Sequence, residues 1–105
     1  MSDDAVAAGE AMSGDCAART VEIVNRAGMH ARPAAELVKL AGRFTADIRL
    51  EKDGLEVNGK SIMGVLMLAA ERGSRLKISA TGVDAESAVS AISELVARGF
   101  DEIES

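Results

Sequence analysis

RTVEIVNRAGMHARPAAELVKLAGRF, residues 19–44, changes its apolar period once, and that change decides the fold. In the first seven residues Val21 and Ile23 share one side and Thr20 and Glu22 the other, which is strand spacing. Gly28 breaks the alternation. After it, Ala34, Leu37, Val38 and Ala41 recur at helical spacing, with Glu36, Lys39 and Arg43 on the opposite side. Pro33 suits a first helical turn, where a missing N–H costs nothing.

Downstream, ADIRLEKDGLEVNG reads as a hairpin, with Ile48, Leu50, Leu55 and Val57 inward and a turn at Asp53 and Gly54. KSIMGVLMLAAERG is a short helix that opens on a capping serine, Ser61, and stops near Gly73. RLKISATG alternates again, with Leu76, Ile78 and Ala80 inward. The last helix opens at Asp84, read as its N-cap, carries Val89, Ile92 and Val96 in one stripe, and ends at Gly99. The order β-α-β-β-α-β-α is most economically an α+β open-faced sandwich, a four-stranded sheet with its helices on one face. Residues 1–18, small, acidic and without period, are expected to be a flexible N-terminal extension carrying the free thiol of Cys16. Residues 19–105 are expected to be the domain.

Composition narrows the function. The 105 residues carry a formal charge of −5, with two Phe and no Trp or Tyr. A nucleic-acid binder would show a basic face and stacking aromatics, so that class is disfavoured. One histidine and one cysteine make neither a metal cluster nor an internal disulfide, and no cofactor motif is present. The first residues lack both a basic leader region and a continuous apolar span, so neither a signal peptide nor membrane insertion is expected, and the cytoplasm follows by default.

The only histidine and the only proline lie three residues apart, with Arg32 between them. Pro33 in the first turn puts His30 at or just before the helix N-terminus, beside free backbone N–H groups and the positive end of the helix dipole. Such an end binds anions and favours an uncharged imidazole with one ring nitrogen available as a nucleophile. A phosphoryl group on that nitrogen would sit in a positive pocket, with the Arg32 guanidinium able to reach its oxygens. No second base, Mg²⁺-binding carboxylate set or glycine-rich nucleotide loop accompanies the pair, so the site is suited to accept and pass on a phosphoryl group rather than to hydrolyse one. Spacing alone leaves a second reading open, in which His30 is a cap or merely an exposed side chain and Arg32 is solvated.

AGMHARPAAELVKLA, followed some thirty residues later by VNGKSIMGVLMLA, strongly resembles HPr, the histidine phosphocarrier family of the bacterial phosphoenolpyruvate:sugar phosphotransferase system. The resemblance runs from about residue 19 to 100 in one register. It implies an antiparallel four-stranded sheet with three helices on one side. It also implies that His30 takes a phosphoryl group on Nδ1 from enzyme I and passes it to sugar-specific IIA domains, that Arg32 is the active-site arginine, and that Ser61 is the serine modified by HPr kinase/phosphorylase in some lineages. Ala27 departs from the family, in which many members carry Asn or Ser.

A hydroxyl at Ser61 caps the short helix on either reading, modified or not. A phosphate there would not melt the helix but would place charge in a docking surface. That surface is read from the excess of apolar residues in SIMGVLM: Val65 and Leu68 face the core, leaving Ile62, Met63 and Leu66 outward. Met29 extends the patch, and Lys39 and Lys60 supply a charged rim. A satellite core beneath a loop is the competing explanation. Besides a monomeric phosphocarrier, two readings stand: a regulatory phosphoprotein working through contacts with partners such as a transcriptional regulator, as in a nitrogen-type branch, and an acylphosphatase-like hydrolase.

Overall fold

A computed structural model describes residues 15–102. The elements are β1 (Cys16–Glu22), α1 (Ala31–Ala41), β2 (Asp47–Lys52), β3 (Leu55–Asn58), α2 (Ile62–Met67), β4 (Arg75–Thr81) and α3 (Ala85–Ala97), with a 3₁₀ turn at Gly99–Asp101. The sheet runs β1-β4-β2-β3 with every pairing antiparallel. It is the expected open-faced sandwich. Among the described residues no helix is long and apolar enough to cross a membrane.

Period explains the layers. Ile48 and Leu50 on β2, Val57 on β3, and Leu76, Ile78 and Ala80 on β4 are buried on one sheet face. Ala34, Leu37 and Ala41 of α1 and Ala88, Val89, Ile92 and Val96 of α3 close over them. Asp53 and Gly54 both take positive φ, 52° and 87°, as a two-residue hairpin turn with the twist of its flanking strands requires. Leu55 does not turn in as expected. It lies beside that turn, opposite Lys52, and is 44% exposed.

Two boundaries and one helix cap differ from the sequence reading. β1 begins at Cys16, because Cys16, Ala17 and Ala18 pair with Thr81, Ala80 and Ser79, a register set by backbone hydrogen bonds that carries no signal in three small side chains. The strand therefore takes in the last residues of the expected extension, and the exposed Cys16 sits on a strand; residues 1–14 lie outside the described residues. α2 stops at Met67, where Ala69 turns to φ 49° and the Lys52 ammonium donates to the Leu68 carbonyl at 3.1 Å, a cation on a helix C-terminus.

The third concerns Asp84. It holds the N-cap position of α3 but does not cap it. Its carboxylate instead accepts from the Thr45 and Ala46 backbone N–H groups, each at 2.9 Å, and from the Thr45 hydroxyl at 3.2 Å. Those bonds, led by the one from the Thr45 backbone, hold its carboxyl below its ordinary value despite a smaller opposing effect of burial. A depressed carboxyl contributes stability that is complete above the ordinary aspartate value of about 3.9 and is lost as pH falls through the lower folded value. Asp84→Ala is expected to lower the urea midpoint at pH 7, and the gap from the parent protein should narrow on acidification below pH ~4; urea titrations across that range check this.

Candidate functional site

The site begins with a glycine. At φ 72°, Gly28 turns the chain after β1, and a Cβ on it would lie 2.7 Å from the Ala70 carbonyl oxygen. The next N–H, that of Met29, donates to that same oxygen at 2.8 Å. Met29 is thereby directed into the core, 5% exposed, and does not extend the surface patch. His30 follows at the N-cap of α1 in an extended conformation, and its side chain makes no capping bond. Its carbonyl accepts from the Ala34 N–H at 3.0 Å. The Ala31 and Arg32 amides of the first turn therefore have no intrahelical acceptor, and Pro33 has no N–H to leave unpaired.

The imidazole is 42% exposed. Its Nε2 lies 2.9 Å from Oε2 of Glu102, while Nδ1 has no hydrogen bond among the described residues. The Arg32 guanidinium donates to the same Oε2 through one terminal nitrogen and to Glu36 at 3.0 Å through the other. On the far side of the carboxylate, Nδ2 of Asn25 donates to Oε1 of Glu102 at 2.9 Å and to the Gly28 carbonyl at 2.8 Å. The Asn25 bond, followed by the His30 hydrogen bond and the nearby Arg32 charge, holds the Glu102 carboxyl below its ordinary value, against the opposing effect of burial. An ionised carboxylate only accepts hydrogen bonds, so Nε2 is the ring nitrogen that donates, and in the uncharged ring the lone pair lies on Nδ1.

Glu102 arrives there by an unusual route. Gly99, Phe100 and Asp101 all take the left-handed conformation, with φ of 67°, 58° and 57°. The turn reverses the chain at the end of α3 and buries Phe100, which is 1% exposed. Neither Asn25 nor Glu102 stands out in the sequence as a site residue. The usable signals were an Asn three residues before a turn glycine, and one of only two aromatics directly after a helix-ending glycine.

The other sequence candidates separate. Ser61 caps α2, accepting from the Gly64 N–H at 3.1 Å. Ile62 and Met63 are exposed, but Leu66 is half-buried against the core, and Met67, four residues after Met63, takes its place outside at 65% exposure. The Lys60 ammonium is drawn inward, donating to the Phe44 carbonyl at 2.7 Å, so it ties two loops together rather than forming a rim. Lys39 is exposed in the last turn of α1 and lines a shallow groove of about 210 Å³ between α1 and α3, with Arg43, Arg98, Glu36, Leu40 and Leu95.

Residues 17–98 match the family model described as PTS HPr component phosphorylation site. The chain is 49% identical over 84 residues to phosphocarrier protein HPr of Treponema pallidum, covering 80% of this chain and 96% of that protein. It is 42% identical over 85 residues to phosphocarrier protein NPr of Escherichia coli K12, covering 80% and 94%. A crystal structure of HPr from Thermoanaerobacter tengcongensis superposes with a TM-score of 0.81 at 43% identity, covering 84% of this chain and 99% of that one. With a family model matched over most of its described length, relatives 42–49% identical over nearly their whole length and a solved HPr fold that superposes closely, this chain belongs to the HPr family of phosphotransferase-system phosphocarriers.

Proposed function

We propose that His30 is the phosphoryl acceptor, that it takes its group on Nδ1 from phosphorylated enzyme I in the cytoplasm, and that it passes the group to IIA domains. The observation that carries the reading is the unbonded Nδ1 of a half-exposed ring at the start of α1, beside two N–H groups that lack intrahelical acceptors. The Nδ1 lone pair attacks phosphorus and forms the N–P bond as the bond to the donor breaks; that bonding pair leaves with the donor. The proton on Nε2 stays. The new dianion meets the positive end of α1, and the Arg32 guanidinium is close enough to exchange part of its carboxylate contact for phosphoryl oxygens. Onward transfer is the same step run toward an acceptor, which needs no base and no metal ligand from this chain.

A second reading is favoured by the exposed Ile62, Met63 and Met67 directly after Ser61. In it the chain works mainly as a regulatory phosphoprotein, with HPr kinase/phosphorylase modifying Ser61 and the charge altering docking on that apolar face, including docking to a transcriptional regulator. The Ser61 hydroxyl accepts from Gly64 but retains its own O–H, so phosphorylation would add charge without requiring the helix to unwind.

Incubation with enzyme I and phosphoenolpyruvate should give an acid-labile phosphate that vanishes in His30→Ala. Arg32→Ala should label roughly ten- to a hundredfold more slowly, the worth of one charge-assisted hydrogen bond. A parent protein that stays unlabelled by an active enzyme I would contradict the acceptor assignment. For the second reading, kinase and ATP should give an acid-stable phosphate lost in Ser61→Ala; a cognate kinase that leaves Ser61 unmodified would remove it.

A further inference from the structure

We infer that Asn25 and Glu102 are positioning residues for His30: Asn25 orients the Glu102 carboxylate, and the carboxylate keeps the proton on Nε2, so that Nδ1 alone is presented to the phosphoryl group. The inference rests on His30 being the acceptor and adds what selects its reactive nitrogen.

Asn25 is 1% exposed, and its Oδ1 is buried without a partner among the described residues. A buried amide with an unsatisfied oxygen is costly, and an apolar residue at the end of β1 would avoid the cost. What the amide supplies is two donors for two acceptors on opposite sides, the Gly28 carbonyl and Oε1 of Glu102. Its orientation is dictated, since turning it over would set Oδ1 against both oxygens. Aspartate would face Glu102 with a like charge, and serine has only one donor. The same side chain therefore braces the turn that delivers His30 and the carboxylate that holds its ring.

Glu102 has no free choice of orientation either. Oε1 is taken by Asn25, and Oε2 by both His30 and Arg32. Only one of its oxygens reaches the imidazole, and it reaches Nε2. Once phosphorus is on Nδ1, the ring that keeps its Nε2 proton is cationic and lies against a carboxylate. When the N–P bond breaks, its electron pair returns to Nδ1 and the leaving group is neutral imidazole. If the Nε2 proton were lost, the leaving group would be an imidazolate, a much poorer one. Glu102 thus keeps the phosphoryl group transferable without touching it.

Three variants decide the matter: Glu102→Ala, Asn25→Ala and the double substitution. In the unphosphorylated parent protein the proton on Nε2 should give an exchange-protected resonance in proton NMR, lost in Glu102→Ala and weakened in Asn25→Ala. Transfer from phosphorylated protein to a IIA domain should slow about tenfold in Glu102→Ala, the loss of one charge-assisted contact, and the double variant should be no slower than Glu102→Ala alone. Independent, multiplying effects would show that Asn25 acts only by stabilising the fold. A parent protein labelled on His30, with both the resonance and the transfer rate unchanged in Glu102→Ala, would overturn the inference. If the parent is not labelled at all, the acceptor assignment fails, and the Nε2 resonance still decides whether the pair holds the ring. Should Asn25→Ala fail to fold, Glu102→Ala carries the test through both readouts.

Discussion

No side chain fits between Gly28 and the carbonyl of Ala70, and the rest of the site depends on that closeness. The left-handed turn at Gly28 brings the strand-to-helix connection against the segment that follows α2, and the Met29 N–H fastens it there. Met29 goes into the core as a consequence, and His30 comes out at the head of α1. The contact ties the His30 end of α1 to the segment joining α2 to β4. A ring set on packed elements in this way is held for the phosphoryl transfer proposed for it, as a ring on a free loop would not be.

The C-terminal turn adds the second half of the site under opposing forces. Left-handed backbone at Phe100 and Asp101 costs roughly 1–2 kcal/mol for each residue, since neither is glycine. Burying Phe100 offsets this, as deleting a buried phenylalanine typically costs about 3–5 kcal/mol. The margin left is small, so the bonds from Asn25, His30 and Arg32 to Glu102 matter in keeping the turn docked. Two of those three residues are the ones a phosphoryl group would engage, which couples the tail to the chemistry without any large rearrangement.

Much of the fold was legible in the sequence because period is a local signal. The alternation in β1, β2 and β4, the 3.6-residue stripes of α1 and α3, and the Asp53-Gly54 turn each declare themselves within a few residues. The placement of His30, Arg32 and Pro33 at the start of α1 was equally plain, although spacing alone left open whether His30 is an acceptor or only a cap. What escaped was everything set by tertiary partners. Asp84 reads as a helix cap, Lys60 as a rim charge and Glu102 as an ordinary surface charge, yet each is committed to a group far off in sequence: the Thr45–Ala46 amides, Phe44, and the cluster of Asn25, His30 and Arg32. Met29 and Leu66 followed the composition of an exposed patch but lie where the chain's path turns them inward. Charge and apolarity state what a residue prefers; only the path of the backbone states what it meets.

The atom that carries the phosphoryl group is the most direct test of the site. Nitrogen- and phosphorus-detected NMR of the phosphorylated, ¹⁵N-labelled protein reads this directly. Phosphorus coupled to Nδ1 of His30, with Nε2 of the same ring still protonated, is the predicted result. Phosphorus on Nε2, or on any other residue, would contradict it.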